Sequence, residues 1–342
     1  MTAAPDLTGW WTALKERLAE TAVAAGATSP GQGPRHWSAG ELSKQPVTES
    51  TTFYAGSVTK QLIAALVARA VLDGHVDPHA SVATFLPELP AWTAPIRVHH
   101  LLHHTAALPQ PPLLAVALGY PDDPSGWSRL DNEAVLVALH HVTPSPVPPG
   151  RKFSYDNTGY ILLAELLQAV CGQDVAHLAQ SELFGPLGLA GSRLGGPPPV
   201  MLPGHTVPPA TVGDGGLWTC SADLLTWLQA MNGDRLGADL TTMVQSPGRL
   251  DSGAVLDYAW SIGPRPGPAG TIYLHGGEWP GWCAMTARCP ATATAVAILA
   301  ATEDMSTVSA AALRLHEQLV LAVLEQPDRR STQPRPQPPP SR

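Results

Sequence analysis

Apolar residues recur every three or four positions in two early segments of the chain, and the stretch between them has a different pattern. In the first segment this spacing predicts a helix over residues 7–25, because it places one apolar stripe along a helix. In the second it predicts a helix that begins near Ser57 and ends near Gly74. The stretch between them is rich in glycine, proline and serine, which predicts short strands joined by turns. The recurring residues are Leu7, Trp10, Trp11, Leu14 and Leu18, then Ile63, Leu66, Val67, Ala70 and Val71.

The later part of the chain changes pattern twice. From residue 78 to about 204, apolar segments such as "PPLLAVALGY", "DNEAVLVALHHV" and "TGYILLAELLQAVCG" are broken by proline, which predicts short helices. After the predicted helix "SADLLTWLQAMN" come strand-like runs and a last helix. The runs are "YAWSIG", "GTIYLHGG", "WCAMTARC" and "TAVAILAAT", and the helix is "MSTVSAAALRLHEQLVLAVLEQ".

This order of elements predicts an α+β fold, in which an antiparallel β-sheet is flanked by helices and carries an inserted all-α lobe. We expect a single domain over residues 1–326, with an α/β lobe at about 1–80 and 205–326. The helical lobe is expected at about 81–204, and the site between the two lobes. Residues 327–342 are rich in proline and polar residues, which predicts a disordered tail.

Composition and charge exclude several classes of protein. The formal net charge is −8 and no run of Lys and Arg interrupts it, which argues against nucleic-acid binding. The N-terminus has no basic region followed by an apolar stretch, and no segment carries the roughly 18 apolar residues that span a bilayer. We therefore expect a cytoplasmic protein without a membrane anchor. The four cysteines show no CxxC spacing, so we expect reduced thiols.

Ser57 and Lys60 are the first candidates for catalysis. Residues at i and i+3 share one face of a helix, so the Lys60 amine can reach the Ser57 hydroxyl and activate it as a nucleophile. The chain has only four lysines, and a serine lies three residues before just this one. The alternative is that Ser57 caps the helix and Lys60 follows it by chance.

Two further motifs lie downstream. Tyr155 and Asn157 precede an apolar helix; a tyrosine can act as a base where neighbouring cations stabilise its phenolate, and an asparagine amide can bind a substrate carbonyl. His275-Gly276-Gly277 ends a strand-like run, and paired glycines allow a substrate to approach the backbone closely. The alternatives are a capped helix with a packed tyrosine for the first motif, and an ordinary hairpin for the second.

The three motifs in this order resemble the serine β-lactamase and penicillin-binding-protein superfamily, most of all its class C β-lactamase and family VIII esterase branch. The stretches "VHHLLHHTAALP", "PPGRKFSYDNTGY", "LFGPLGLAGS" and "GGLWTCSADLLTWLQAM" are similar to that branch too. The resemblance spans about residues 50 to 325.

The resemblance implies a role for each motif residue. Ser57 would be the acylated nucleophile, and either Lys60 or Tyr155 the base. Asn157 would orient Lys60 and the substrate acyl chain. His275, Gly276 and Gly277 would border the substrate, and the backbone N–H groups of Ser57 and Glu278 would form the oxyanion hole. No metal or cofactor is implied, and the expected partner is a small-molecule acyl substrate, with an acyl acceptor other than water left open.

Two positions depart from the family pattern. His275 stands where β-lactamases and most peptidases of the superfamily carry a lysine; a histidine titrates near about pH 6.5, so only partial charge is expected at neutral pH. Ala106-Ala107 stands where the family usually has Ser or Thr and then Gly. These departures favour an esterase or transacylase. A β-lactamase, a D-amino-acid-specific peptidase or peptide cyclase, and an inactive binding module are the alternatives, and the retained motif residues argue against the last.

Two other groups of residues have patterns that occur in functional sites. His99 with His103, and His100 with His104, have the i, i+4 spacing of zinc ligands, but no carboxylate lies between them as in HExxH, so packed and exposed helix histidines are favoured. Three tryptophans near the third motif fit an acyl pocket and core packing equally well. These are Trp260, Trp279 and Trp282.

Overall fold

A computed structural model describes residues 6–325 of the protein, so the predicted disordered tail at 327–342 lies outside the described residues. The α-helices are α1 (Thr8–Arg17), α2 (Thr59–Leu72), α3 (Val98–Leu102), α4 (Pro111–Ala117), α5 (Pro124–Trp127), α6 (Asn132–Ala138), α7 (Thr158–Cys171), α8 (Val175–Ala179), α9 (Gly185–Leu187), α10 (Ser221–Asn232), α11 (Ala238–Gln245) and α12 (Met305–Leu324). A π-helical turn at Gln180–Phe184 joins α8 to α9, and short 3₁₀ turns lie at Gly56–Val58, Val82–Thr84, Ala91–Thr93 and Pro290–Thr292.

The strands form one large sheet and two small ones. They are β1 (Val23–Thr28), β2 (Arg35–Ala39), β3 (Glu41–Leu42), β4 (Gln45–Pro46), β5 (Phe53–Tyr54), β6 (Arg193–Leu194), β7 (Leu217–Thr219), β8 (Gly263–Gly267), β9 (Gly270–Trp279), β10 (Trp282–Cys289) and β11 (Thr294–Ala300). The large sheet has the order β2-β1-β11-β10-β9-β8, and every neighbouring pair is antiparallel. Helices flank this sheet, so the predicted α+β fold class is confirmed.

Side chains of the central strands alternate between two hydrophobic layers. In β11, Val296 and Ile298 pack with α1 and α12 on one face of the sheet. Ala297 and Leu299 point to the other face and pack with α2 and α10. Because successive residues of a strand point to opposite faces, a continuous apolar run is the pattern of a strand covered on both sides. This explains why β1, β10 and β11 are buried along their whole length.

The helices between residues 81 and 204 pack on the α2 side of the sheet. Helix α7 contacts α2, and its buried residues Tyr160–Ala164 join the same hydrophobic core as α2 and α10. The small sheet β5-β7-β6 lies beside this junction, where the backbone N–H of Ala55 donates to Leu217 O at 2.9 Å. This contact fixes the backbone two residues before Ser57.

Some predicted bounds were wrong. The first helix ends at Arg17, because the apolar residues after it form the central strand β1, with Glu20 in the left-handed region at φ 60° as the chain turns. The run "YAWSIG" is a loop, and the strand begins at Gly263 and contains Pro264 and Pro266. Prolines are tolerated there because β8 is an edge strand, where a missing N–H breaks no pairing bond.

Two local features bear on earlier expectations. Ala107, at the position where the resembling family usually has glycine, adopts φ 56°, so the turn forms with an alanine in a strained left-handed conformation. Helix α12 is long and apolar enough by composition to cross a membrane, with a mean hydropathy of 1.3. It packs its buried face against β10 and β11, however, as the core helix of a folded domain does.

The turn that carries Ser57 is pressed against β9. A Cβ atom added at Gly277 would lie 2.0 Å from Ala55 O and 2.7 Å from Ser57 N. A Cβ atom added at Gly56, which has φ 50°, would lie 2.7 Å from Glu278 N. Both glycines are therefore required by the close approach of two backbones, and this approach places the N–H groups of Ser57 and Glu278 on adjoining segments.

We predict that Gly277→Ala destabilises the protein, because the new methyl group must separate β9 from the Ser57 turn. Overpacking of this kind costs about 1–3 kcal/mol of unfolding free energy, measurable by denaturant titration. Gly33→Ala is the matched control, since nothing lies within 4 Å of a Cβ atom added there. Equal stabilities of the two variants would contradict the prediction.

Candidate active site

Ser57 lies in the 3₁₀ turn before α2, half-buried at the wall of a cavity of about 1310 Å³. Its side chain caps neither the turn nor the helix, because neither start has a side-chain cap hydrogen bond. The hydroxyl instead accepts a hydrogen bond from Lys60 Nζ at 2.9 Å. The i, i+3 spacing of the sequence therefore places the amine on the hydroxyl, and the capping alternative does not describe this turn.

The Lys60 ammonium is completely buried, and each of its three N–H groups can be matched to an oxygen. Besides Ser57, Nζ donates to Asn157 Oδ1 at 2.8 Å and to the backbone oxygen of Asp214 at 2.7 Å. A lysine ammonium has three donors and no acceptor, so this set satisfies it fully. The amine lies 5.1 Å from the centre of the Tyr155 ring and 5.6 Å from that of Tyr160.

Tyr155 and Asn157 lie in the loop that leads into α7. Asn157 is the residue before the first helical position, but its side chain makes no capping bond and binds Lys60 instead. Tyr155 lines the cavity and is 37% exposed. Gln110 holds this loop from the opposite side: its Nε2 donates to Tyr155 O at 2.6 Å, and its Oε1 accepts from Asn157 N at 3.3 Å.

The third motif forms part of β9, at the edge of the same cavity. His275, Gly276, Gly277 and Glu278 all line it, and Glu278 is exposed. Both ring nitrogens of His275 already have partners within the protein: Nε2 lies 3.1 Å from the Tyr258 hydroxyl, and Nδ1 lies 2.6 Å from Gly276 O. The eight residues predicted as a site thus surround one cavity, except that Lys60 lies behind its wall.

His275 is uncharged at neutral pH. Burial lowers the pKa of its imidazole to about 3, and the nearby Lys60 ammonium adds to the shift. The expectation of partial charge was therefore wrong, because it used the value of an exposed histidine. At the position where a lysine would carry a fixed positive charge, this protein presents a neutral ring.

Two carboxyl groups lie near Lys60, and the sequence alone did not single them out: Asp156 is buried behind the cavity wall and Asp214 is part of its lining. Burial raises the pKa of Asp156 to about 7 and also raises that of Asp214. Asp156 Oδ1 accepts from Gly159 N at 2.6 Å, whereas Oδ2 of Asp156 and Oδ1 of Asp214 are buried without a hydrogen-bond partner among the described residues. Lys60 lowers the pKa of both groups, so all three share one buried electrostatic environment.

The rest of the cavity wall is largely apolar. Its apolar lining includes Pro111, Pro112, Trp127, Leu130, Phe153, Val255, Leu256 and Met305. Of the three tryptophans that were candidates for an acyl pocket, Trp279 lines the cavity, and its indole N–H donates to Thr206 O at 2.9 Å. Trp260 and Trp282 are buried in the hydrophobic core. An apolar wall of this kind suits an uncharged acyl group.

The paired histidines contact other rings and backbone oxygens of the described residues. Among residues 6–325, no group of three or more His, Cys, Asp or Glu side chains could hold a metal ion. His99 and His100 stack on each other, with ring centres 4.2 Å apart. His104 is buried behind the cavity wall, where its ring lies 4.2 Å from that of the lining residue Tyr155. The four cysteines are free.

The Ser57–Lys60 pair, the Tyr-x-Asn loop before α7 and the paired glycines of β9 thus meet around one cavity of this α+β fold. The family model described as Beta-lactamase matches residues 14–319. The chain belongs to this family.

Individual proteins agree with that assignment. The chain is 24% identical to Penicillin-binding protein 4* of Bacillus subtilis over 72% of its length, and 25% identical to a D-aminopeptidase of Gluconobacter oxydans over 84%. It spans 59% and 56% of those two relatives. A solved class C β-lactamase shares the fold, with a TM-score of 0.74, 18% identity, and coverage of 94% of this chain and 96% of that one.

We predict that Asp156→Asn changes how stability depends on pH. The ordinary pKa of an aspartate is 3.8, whereas the pKa of Asp156 in the folded protein is about 7. Between these values the folded protein binds more protons than the unfolded chain, so the ionising carboxyl makes wild-type stability fall as pH rises. The variant lacks this group, so its unfolding free energy relative to wild type should rise by about 2–4 kcal/mol from pH 4 to about pH 8 and level off above that. Denaturant titrations at several pH values measure it, and parallel pH curves would contradict it.

Proposed function

We propose that this protein is a serine hydrolase or acyltransferase that acts on an ester or amide of a small molecule through a covalent acyl-Ser57 intermediate. The observation that carries the proposal is the 2.9 Å hydrogen bond between Lys60 Nζ and Ser57 Oγ at the wall of the cavity. Lys60 is the one buried lysine among residues 6–325, and the Ser57 hydroxyl that it binds is half-buried and makes no helix-capping bond.

In the first step, Ser57 Oγ attacks the substrate carbonyl and loses its proton. Because Lys60 donates all three of its N–H groups, we assign the role of base to the phenolate of Tyr155, whose ring lies 5.1 Å from the ammonium and which becomes the hydroxyl when it accepts the serine proton. The backbone N–H groups of Ser57 and Glu278 stabilise the oxyanion. The Tyr155 hydroxyl then gives the proton to the departing alcohol or amine, which leaves the acyl group on Ser57.

In the second step, water or another nucleophile enters beside Tyr155, which takes its proton as it attacks the ester carbonyl. The proton returns to Ser57 Oγ when the acyl group departs. An exposed Tyr155 at an open cavity is compatible with either acceptor. Hydrolysis and acyl transfer therefore use one mechanism and differ only in the molecule that enters.

The neutral third motif supports substrates that lack a carboxylate beside the reacting bond. A lysine there would pair with such a carboxylate, whereas both nitrogens of His275 are bonded within the protein. A carboxylate placed against this ring would lose hydration without gaining a charged partner. This favours an ester or simple amide over a β-lactam, and a cytoplasmic location stays part of the proposal.

A second candidate is an amidase for acyl groups that carry a free amine, as in the D-aminopeptidase relative. The cavity lining supports it, because acidic residues outnumber basic ones: Asp214, Asp257, Glu278 and Glu303 lie there with Arg265. A cleft lined by one sign of charge attracts the opposite charge.

We predict that a fluorophosphonate probe labels the protein on Ser57, because the activated hydroxyl displaces fluoride from phosphorus. Ser57→Ala should abolish labelling of the intact protein, as read by mass spectrometry. Ser252→Ala, which changes an exposed loop serine, is the control and should label like wild type. A wild-type protein that forms no adduct would support an inactive binding module instead.

We predict a preference among three substrates: a short p-nitrophenyl ester, D-alanine p-nitroanilide and a chromogenic cephalosporin. The ester should exceed the cephalosporin in kcat/KM by at least about tenfold, the ratio that about 1.4 kcal/mol of lost charge pairing produces. If the anilide is turned over, and this turnover is lost when its free amine is acetylated, the amidase would be favoured. Efficient cephalosporin turnover without ester turnover would overturn the preference.

A further inference from the structure

A continuous chain of hydrogen bonds runs from the loop before α7, behind the cavity wall, to β9 at the cavity's edge. Asp156 N donates to His104 Nδ1 at 3.2 Å, and His104 Nε2 lies 3.1 Å from the Tyr258 hydroxyl. The same hydroxyl lies 3.1 Å from His275 Nε2, and His275 Nδ1 lies 2.6 Å from Gly276 O. Tyr258 is the middle of this chain, and the reaction as derived above does not use it.

The two ends of the chain fix the direction of every bond within it. A backbone N–H can only donate, so His104 Nδ1 is the acceptor and the ring proton of a neutral His104 lies on Nε2. Tyr258 therefore accepts from His104. At the other end, Gly276 O can only accept, so the His275 proton lies on Nδ1, and its Nε2 accepts from Tyr258. Each ring thus has one tautomer, and Tyr258 satisfies both.

Both imidazoles are neutral, as this pattern requires. Burial lowers the pKa of His104 well below its usual value, and it lowers that of His275 as described above. His104 has no solvent exposure, and Tyr258 and His275 are each 8% exposed. A protonated His104 would set its Nδ1–H against the Asp156 N–H, which can only donate, and a protonated His275 would leave the Tyr258 oxygen between two donors.

The chain connects the two halves of the site. At one end, His104 holds the loop of Tyr155: its backbone oxygen accepts from Ser154 N at 2.8 Å, and its ring stacks on Tyr155 with centres 4.2 Å apart. At the other end, His275 belongs to the strand segment that presses Gly277 against Ser57 N. His104 adopts φ 54°, a strained conformation for a non-glycine residue, which the surrounding bonds maintain.

We propose that Tyr258 is a positioning residue, which together with His104 sets the distance between the Tyr155 loop and β9. It does so by holding His275 in its Nδ1–H tautomer. The proposal rests on the proposed function, because it assigns the purpose of this distance to acyl transfer at Ser57. Tyr258 acts through Tyr155 and His275 and takes no part in proton transfer to the substrate.

The tautomers are tested in the free wild-type protein, without substrate. In protein labelled with ¹⁵N-histidine, long-range ¹H–¹⁵N correlation spectra should show a neutral Nδ1–H ring for His275 and a neutral Nε2–H ring for His104 at pH 7. His275→Asn and His104→Asn each lack the signals of one histidine ring, so the signal set missing from each spectrum assigns that ring. A charged His275, or the opposite tautomer, would overturn the proposal even if no Tyr258 variant folds.

The role in the reaction is tested with Tyr258→Phe, which keeps the ring and removes only the hydroxyl. We expect kcat for the p-nitrophenyl ester to fall by roughly 10- to 100-fold, as expected when catalytic groups are misplaced by up to about an ångström, with KM changed less than about threefold. The Nε2 signals of both histidines should shift. Tyr273→Phe, a tyrosine of β9 outside the cavity lining, is the matched control and should keep wild-type kcat.

The outcomes separate this proposal from the proposed function. Unchanged kcat in Tyr258→Phe overturns the positioning role, and so does a raised KM with unchanged kcat, which would make Tyr258 a substrate contact. A wild-type protein that shows the expected tautomers but no fluorophosphonate adduct would refute the proposed function, and with it the purpose assigned to the hydrogen-bond chain, while its geometry would stand.

Discussion

Removal of the Lys60 ammonium from water is the constraint on which the site depends. An isolated buried charge is very unfavourable, and it is tolerated only where its hydrogen bonds are replaced. Three parts of the chain supply the oxygens: the turn before α2, the loop before α7 and the turn before β7. Because these parts are far apart in sequence, the ammonium is satisfied only when both halves of the molecule have come together.

At the position where β-lactamases carry a second lysine, this protein has the neutral ring of His275, which contacts other neutral groups. The imidazoles of His104 and His275 and the phenol of Tyr258 are uncharged and satisfy one another, so these groups place no second cation beside Lys60. In a low-dielectric interior, a second cation near Lys60 would raise the energy of both. The acidic residues of the cavity lining then determine the potential that a substrate meets.

Local patterns predicted those parts of the structure that local forces determine. The spacing of Ser57 and Lys60 follows from helix geometry, and the continuous apolar run of β11 from its position in the middle of the sheet. Tyr258, Asp214 and Gln110 reach the site from loops whose sequences carry no regular pattern, so only the tertiary structure reveals them. The charge of His275 could not be predicted for the same reason, since its burial depends on neighbours that are distant in sequence.

Because Lys60 is buried, its amine differs from those of the other lysines in its accessibility to reagents. The chain has only three others, and Lys15, Lys44 and Lys152 are all exposed, whereas Lys60 has no accessible surface. Among residues 6–325, amine-directed reagents such as activated esters on a resin or a dye therefore meet only the exposed three in the folded protein. All three lie outside the residues that line the cavity, so attachment to a support through these amines modifies no lining side chain.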